Sequence, residues 1–215
     1  MEKTKIKNFA VAARDSLIGS IKRAMFNYGV TEEGIQEKLP SSTREIEYYV
    51  NDERFALIGS KIKWRQKLVQ ELTDRQQKED YLDAYNDLVE EVAYTWFNRI
   101  IAIRFMEVNN YLPSRVRVLS SEEGSVEPDI MKYALDLEDD LGKFTPEELA
   151  IIQRKRDTES QVDSDAMYEI LFIKQADALG EILPHLFEKT TDYMKLLFTA
   201  RYNAGVIKDL ITTIP

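Results

Sequence analysis

The sequence predicts a mainly α-helical protein, a multi-helix bundle with a central buried helix and minor extended segments. Its 215 residues include only eight Gly and six Pro, which is few for the turns that an all-β chain needs. Leu, Ile, Ala, Glu and Lys are plentiful, and most of them favour helices. Apolar residues also recur at three- and four-residue steps. We therefore expect a single helical domain over residues 1–215, long enough to bury a core without disulfides.

The first quarter of the chain is predicted to contain one long helix followed by irregular structure. The helix should run from Lys3 to Tyr28, with Gly29 as its C-terminal stop. A short helical turn is expected at Thr31-Glu32-Glu33, because Thr is a preferred N-cap residue and acids suit a first helical turn. Residues 45–59 mix β-prone residues with a polar interruption, which indicates an irregular segment or a hairpin.

Two helices should occupy the middle of the chain. Ser60 is predicted to cap a helix that ends near Gln77, and Asp80 a long helix that ends near Val108. At about 100° per residue, apolar side chains in the second half of the long helix fall on nearly every side, which predicts that other helices surround it. These apolar residues are Trp96, Phe97, Ile100, Ile101, Ile103, Phe105 and Met106.

Shorter elements are expected between residues 115 and 156. Residues 115–119 alternate polar and apolar side chains, as a short strand or extended segment does. Pro128 can open a short helix. Thr145, Pro146 and Glu148 combine an N-cap, a proline at the first helical position and a glutamate at the third, which predicts a helix to about Arg156.

The remainder of the chain should also be helical. Ser164 is predicted to cap a helix from Asp165 to about Leu179, and Gly180 to end it. Two short helices should follow, broken by Pro184 and by Asn203-Ala204-Gly205.

Two arginines of the long helix start among apolar neighbours. Arg99 and Arg104 need carboxylate or carbonyl partners if they are buried, and Glu107 is within reach of Arg104 three residues on. One interpretation is internal ion pairing of Arg99, Arg104 and Glu107 that fixes the helix in place. The other is a contact to a phosphate group or a partner protein.

Composition and motifs exclude most catalytic chemistry. There is no Cys and only one His, His185, so thiol nucleophiles and the usual zinc and haem ligand sets are missing. The glycines never occur as G-x-G or G-x-x-x-x-G-K, the patterns of nucleotide-binding loops. We therefore assign no catalytic, cofactor-binding or metal-ligating residue. Without an export signal or a long apolar stretch, we expect a cytoplasmic protein with no membrane contact.

The densest basic stretch could contact nucleic acid. It comprises Lys61, Lys63, Arg65 and Lys67, and such residues can bind a DNA backbone. More often, such residues form the solvated face of a helix. The net charge of −9 and the pI near 4.9 weigh against a domain that clamps nucleic acid by charge.

Beyond these patterns, one stretch resembles a known family. The run Tyr94-Thr95-Trp96-Phe97-Asn98-Arg99, within residues 93–113, and then residues 117–121 resemble the amino-terminal region of the PglX family. These are large adenine-specific DNA methyltransferases of BREX-type phage-exclusion systems. Residues 6–14 and 182–189 are similar to the same family.

The resemblance implies a parent protein that transfers a methyl group to adenine N6 in host DNA as part of phage defence. In the family, a catalytic domain with an S-adenosylmethionine site and an Asn-Pro-Pro-Tyr motif follows, and then a target-recognition domain. Neither has a counterpart in these residues, so no cofactor is expected in this segment and no catalytic residue can be carried over. We expect a fragment that supports the activity without performing it.

Three functional interpretations remain open. The chain can be a helical accessory domain that packs against the catalytic domain of the same polypeptide and helps the parent contact DNA. It can instead be an interaction module that recruits other defence-system proteins or is targeted by phage inhibitors, without DNA contact. The acidic charge favours this second interpretation. It can also be a folding scaffold alone.

Overall fold

The computed structural model describes residues 3–158 and 160–213, and its mainly α-helical architecture confirms the predicted fold class. Within these described residues, four two-residue strands form two small antiparallel hairpins. The helices are α1 (Lys3–Asn27), α2 (Ser60–Arg75), α3 (Tyr81–Val108), α4 (Asp129–Lys132), α5 (Glu138–Leu141), α6 (Pro146–Asp157), α7 (Gln161–Ile182), α8 (Asp192–Leu196) and α9 (Gly205–Thr213), and the strands are β1 (Val30–Thr31), β2 (Gly34–Ile35), β3 (Ile46–Glu47) and β4 (Leu57–Ile58).

The chain divides into two compact units. Among the described residues, the first unit takes 3–13, 97–158, 160–190 and 200–213, and the second takes 14–96 and 191–199. The single domain expected from the sequence stays a prediction, because compactness does not measure independent folding.

The second unit is built on α2, α8 and the first half of α3. Its core includes the side chain of Trp96, whose indole N–H donates to the carbonyl oxygen of Met194 at 3.2 Å. The Trp96 ring also meets Phe198 edge to face, with ring centroids 4.8 Å apart. This pairing satisfies the polar atom of a large buried ring and adds to its apolar contacts.

The first unit is built on α7, α6 and the second half of α3. Leu171, Phe172 and Leu179 of α7 are buried, as are Ile100 and Ile103 of α3. The burial of most apolar residues in α3 confirms the predicted central helix. Phe105 differs, because it is exposed and packs its ring against Tyr111 with centroids 5.9 Å apart.

The helical turn predicted at Thr31-Glu32-Glu33 is wrong. These residues form a hairpin in which Val30 pairs with Ile35 and Thr31 with Gly34. The hydroxyl of Thr31 accepts from the amide of Glu33 at 3.2 Å, as an N-cap would, but it also donates to the carbonyl oxygen of Gly34 at 3.1 Å. Gly34 has a φ of 149°, which turns the chain back instead of letting a helix continue.

Two predicted helix starts are also wrong. Ser60 is the first residue of α2, and Gly59 takes the N-cap position. Ser164 lies inside α7 and is buried, with its hydroxyl donating to the carbonyl oxygen of Ser160 at 3.1 Å. Ser160 is the cap, since its side chain accepts from the amide of Asp163. A buried serine can satisfy its hydroxyl on the preceding helical turn.

Gly180 does not end α7, which continues to Ile182. A Cβ atom at this position would lie 2.7 Å from the carbonyl oxygen of Phe187. Gly180 therefore lets the chain at Phe187 approach α7 closely. Its lack of a side chain serves this packing and does not end the helix.

Other predicted boundaries are confirmed. Asp80 caps α3 by accepting from the amide of Asp83 at 3.1 Å. Thr145 and Glu148 form a reciprocal capping box at the start of α6. Residues 46–47 and 57–58 form a hairpin, one of the two arrangements predicted for residues 45–59. Residues 115–119 form neither a strand nor a continuous extended segment, because Arg115 has a φ of 57° and residues 118–119 lie in a bend.

Candidate functional site

The carboxylate of Glu107 is buried at the end of α3 and is surrounded by donors. Its Oε1 atom accepts from Arg104 Nη1 at 2.7 Å and from the Ser120 hydroxyl at 2.5 Å. Its Oε2 atom accepts from the amides of Val118 and Leu119, each at 2.8 Å. A buried charge is tolerated when it is paired and fully hydrogen-bonded. This cluster therefore fastens the segment after α3 to the helix itself.

Tyr168 of α7 is buried, and its phenol interacts electrostatically with the carboxylate of Glu107. Burial and the negative charge of Glu107 raise its pKa well above the ordinary value for tyrosine. The phenol therefore stays protonated at physiological pH.

Arg99 is buried in the first unit and contacts the segment after α7. Its Nη1 atom donates to the Thr190 hydroxyl at 2.9 Å, and its Nη2 atom donates to the carbonyl oxygen of Glu188. The Thr190 hydroxyl in turn donates to Asp177 Oδ1 at 2.5 Å. Burial lowers the pKa of Arg99, although the charges of Asp177 and Glu188 oppose that shift. The guanidinium group thus anchors residues 188–190.

Arg65 has a different position from the one expected of a DNA-contact residue. Its side chain is buried, with Nε donating to the carbonyl oxygen of Tyr28 at 2.7 Å and Nη2 to that of Gln36 at 3.0 Å. The guanidinium group lies 3.5 Å from the centre of the Tyr49 ring. The guanidinium group of Arg65 is therefore occupied by two carbonyl oxygens and an aromatic face inside the fold. Only the lysines of the basic stretch, Lys61, Lys63 and Lys67, then form the candidate DNA surface.

The Tyr49 ring beneath Arg65 is itself held in place. Its hydroxyl donates to Glu47 Oε2 at 2.8 Å, and Lys38 pairs with the other carboxylate oxygen at 3.0 Å. Burial and the hydrogen bond to Glu47 raise the pKa of Tyr49 to about 12. Sequence patterns did not indicate Glu47 or Tyr49, because Lys38 and Arg65, which also contact them, come from other segments of the chain.

The three lysines of α2 do not share one face. Lys63 and Lys67 are exposed and lie one turn apart. Lys61 is half-buried and, at about 100° per residue, lies on another side of the helix. The candidate DNA surface is thereby reduced to the pair Lys63 and Lys67.

No cluster within the described residues is suited to a metal, since no three His, Asp or Glu side chains there come together as ligands. Between α4, α6 and α7 lies a cavity of about 510 Å³ with Met131, Ile152 and Met167 in its lining. No glycine lines this cavity. Its described lining therefore offers no glycine at which the backbone could approach a nucleotide-like ligand closely.

The described residues thus define a helical protein that uses its buried charged groups to hold its own segments together. Over all of its length the chain is similar to a segment of known enzymes. It is 56% identical over 214 residues to the adenine-specific methyltransferase PglX of Lacticaseibacillus casei (strain Zhang), and 26% identical over 217 residues to the adenine-specific methyltransferase BrxX of Escherichia coli O9:H4 (strain HS). No family model matches the chain.

The chain spans 18% and 17% of the length of these curated relatives. The resemblance to the PglX family is therefore confirmed along the whole chain, and it concerns one segment of those larger proteins.

Proposed function

We propose that this chain is the non-catalytic, amino-terminal helical domain of an adenine-specific DNA N6-methyltransferase used in phage defence, and that it supports the catalytic domain of the same polypeptide. The observation that carries the proposal is the 56% identity to PglX across the chain, combined with coverage of only 18% of that enzyme. S-adenosylmethionine would then be bound by another part of the parent protein, which we place in the cytoplasm. None of the helices in residues 3–158 and 160–213 is long and apolar enough to span a bilayer.

The supporting role agrees with the chemistry of the described residues. Arg104, Glu107 and Arg99 have partners within the chain, so their charges serve packing. The sequence has no glycine-rich phosphate loop and no Asn-Pro-Pro-aromatic tetrapeptide, the group that holds a flipped base in amino-methyltransferases. The absence of both motifs supports a non-catalytic role for this segment.

Removal of this segment from the parent should abolish or strongly reduce methylation of host DNA at adenine N6, because the catalytic domain would lose a packing partner. Supplying the segment as a separate chain should restore part of the activity. Methylated adenine can be measured by mass spectrometry of digested DNA. Full methylation by the truncated parent would refute the supporting role, and methyl transfer by the isolated segment would refute the non-catalytic one.

DNA contact through α2 is a separate part of the proposal. Replacing Lys63 and Lys67 by Glu should weaken DNA binding by the parent and reduce the slope of log affinity against log salt by about 2, since each lysine would release about one counterion. The matched control is Lys3→Glu with Lys7→Glu, an exposed pair with the same spacing on α1. If the two pairs of substitutions change the DNA affinity and its salt dependence equally, the proposed DNA contact through α2 is wrong.

The alternative is an interaction module for other defence-system proteins or phage inhibitors, without DNA contact. The net charge of −9 supports it, because an acidic surface repels a DNA backbone. The isolated chain can be tested for retardation of DNA in a gel at low salt. If it retards none, while the parent still requires this segment for methylation, this alternative is preferred.

A further inference from the structure

The last residue of α7 and the turn that follows it expose three large aliphatic side chains. Ile182, Leu183 and Leu186 are 61%, 38% and 49% exposed. The amide of Leu186 donates to the carbonyl oxygen of Leu183 at 3.0 Å, which closes a turn with Pro184 at its second position. Proline presets the backbone angle that this position needs. We call Ile182, Leu183 and Leu186 the apolar turn.

The apolar turn is anchored on both sides. Before it, the amide of Leu183 donates to the carbonyl oxygen of Leu179 at 2.7 Å. After it, Phe187 is fully buried and its carbonyl approaches Gly180 closely. Arg99 then holds the carbonyl oxygen of Glu188. A surface that is already held in its bound conformation loses little entropy when a partner covers it.

Such an arrangement differs from ordinary surface hydrophobicity. Single exposed apolar residues are common and need no explanation. Here three of them lie within five residues, on a backbone fixed by hydrogen bonds and by a buried aromatic anchor. Exposed apolar patches are typical of protein interaction sites, and three large apolar residues this close in sequence make the apolar turn a candidate for one.

We propose that the apolar turn docks into an apolar pocket with a basic rim, on the part of the methyltransferase polypeptide outside this segment. The inference rests on the proposed function. The occupant is expected there because the chain spans only 18% of its relative PglX. Glu181 and Glu188 flank the turn and are exposed, whereas Lys189 is the single lysine beside them. Because the two acids outnumber this base, a basic rim is expected on the partner.

The test compares the isolated chain with the full-length parent by hydrogen exchange. Backbone amides of residues 182, 183 and 185–187 should exchange at least tenfold more slowly in the parent, because the docked partner excludes water. Leu183→Asp with Leu186→Asp should remove this protection and lower adenine methylation by the parent at least fivefold. Glu181→Lys should lower it less, through repulsion from the basic rim.

The matched control is Val126→Asp with Val162→Asp, two exposed apolar residues of the same unit. It should leave both protection and methylation as in the unchanged parent. If the double leucine variant melts early as an isolated chain, Leu186→Ser provides the same test with a smaller change.

The outcomes separate the two proposals. If the parent needs this segment but the leucine and control variants behave alike, the apolar turn is not the docking surface and the proposed function stands. If the parent methylates DNA without the segment, the proposed function fails. If the isolated chain dimerises and Leu186→Ser prevents it, the occupant is a second copy and the inference is overturned.

Discussion

Replacing Glu107 by Ala should lower the free energy of unfolding by about 3–5 kcal/mol, the range expected when one partner of a buried ion pair is removed. The change would leave the buried guanidinium of Arg104 without its carboxylate and would strip the acceptor from the amides of Val118 and Leu119. Urea unfolding followed by circular dichroism measures the difference.

Two controls define the cause. Glu90 lies on the same helix and pairs with Arg14 at 3.0 Å, but both side chains are exposed, so Glu90→Ala should cost under about 1 kcal/mol. Arg104→Met with Glu107→Leu should recover part of the stability that Glu107→Ala loses, because no unpaired charge remains. A loss for Glu107→Ala no larger than that for Glu90→Ala would contradict the structural role.

Gly180→Ala should destabilise the chain by about 1–3 kcal/mol, the usual cost of forcing an extra carbon into a packed site. Alanine is the better helix former by about 1 kcal/mol, so helix propensity predicts the opposite sign. The close approach dominates because the atom 2.7 Å away is the backbone carbonyl oxygen of Phe187, which cannot rotate aside like a flexible side chain. Thermal unfolding measures the change.

Gly19 supplies the matched comparison, since it also lies inside a helix. A Cβ atom there would meet only the flexible end of Arg23, at 3.4 Å. Gly19→Ala should therefore stabilise the chain by about 0.5–1 kcal/mol. Opposite signs for the two glycines would establish close packing at Gly180, whereas stabilisation by both would refute it.

Local signals made some elements predictable. Asp80 and the capping box of Thr145 with Glu148 were readable because a cap and its partner lie within three residues. The approach of Arg104 to Glu107 was readable for the same reason, as i and i+3 residues of a helix are neighbours. In these three cases, the spacing of the two residues along the helix is enough to predict that their side chains or backbone groups come into contact.

Other features depend on contacts that spacing does not reveal. Thr31 has the chemistry of a helix cap, but Gly34 turned its segment into a hairpin. Gly180 looked like a helix stop, and the reason for its presence is the distant carbonyl of Phe187. Arg65 looked like part of a solvated basic face until the carbonyl of Tyr28 and the ring of Tyr49 supplied its partners. In each case tertiary packing overrode a local signal.

The two hydrogen bonds that the amides of Val118 and Leu119 donate to Glu107 also constrain the length of the segment between α3 and these residues. Between these points the chain turns through Asn110 and Arg115, both with φ near 56–57°. Inserting or deleting one residue between Glu107 and Val118 would bring different amides to the carboxylate. The amides of Val118 and Leu119 would then be buried without an acceptor. Across homologous chains, this stretch should keep the same number of residues.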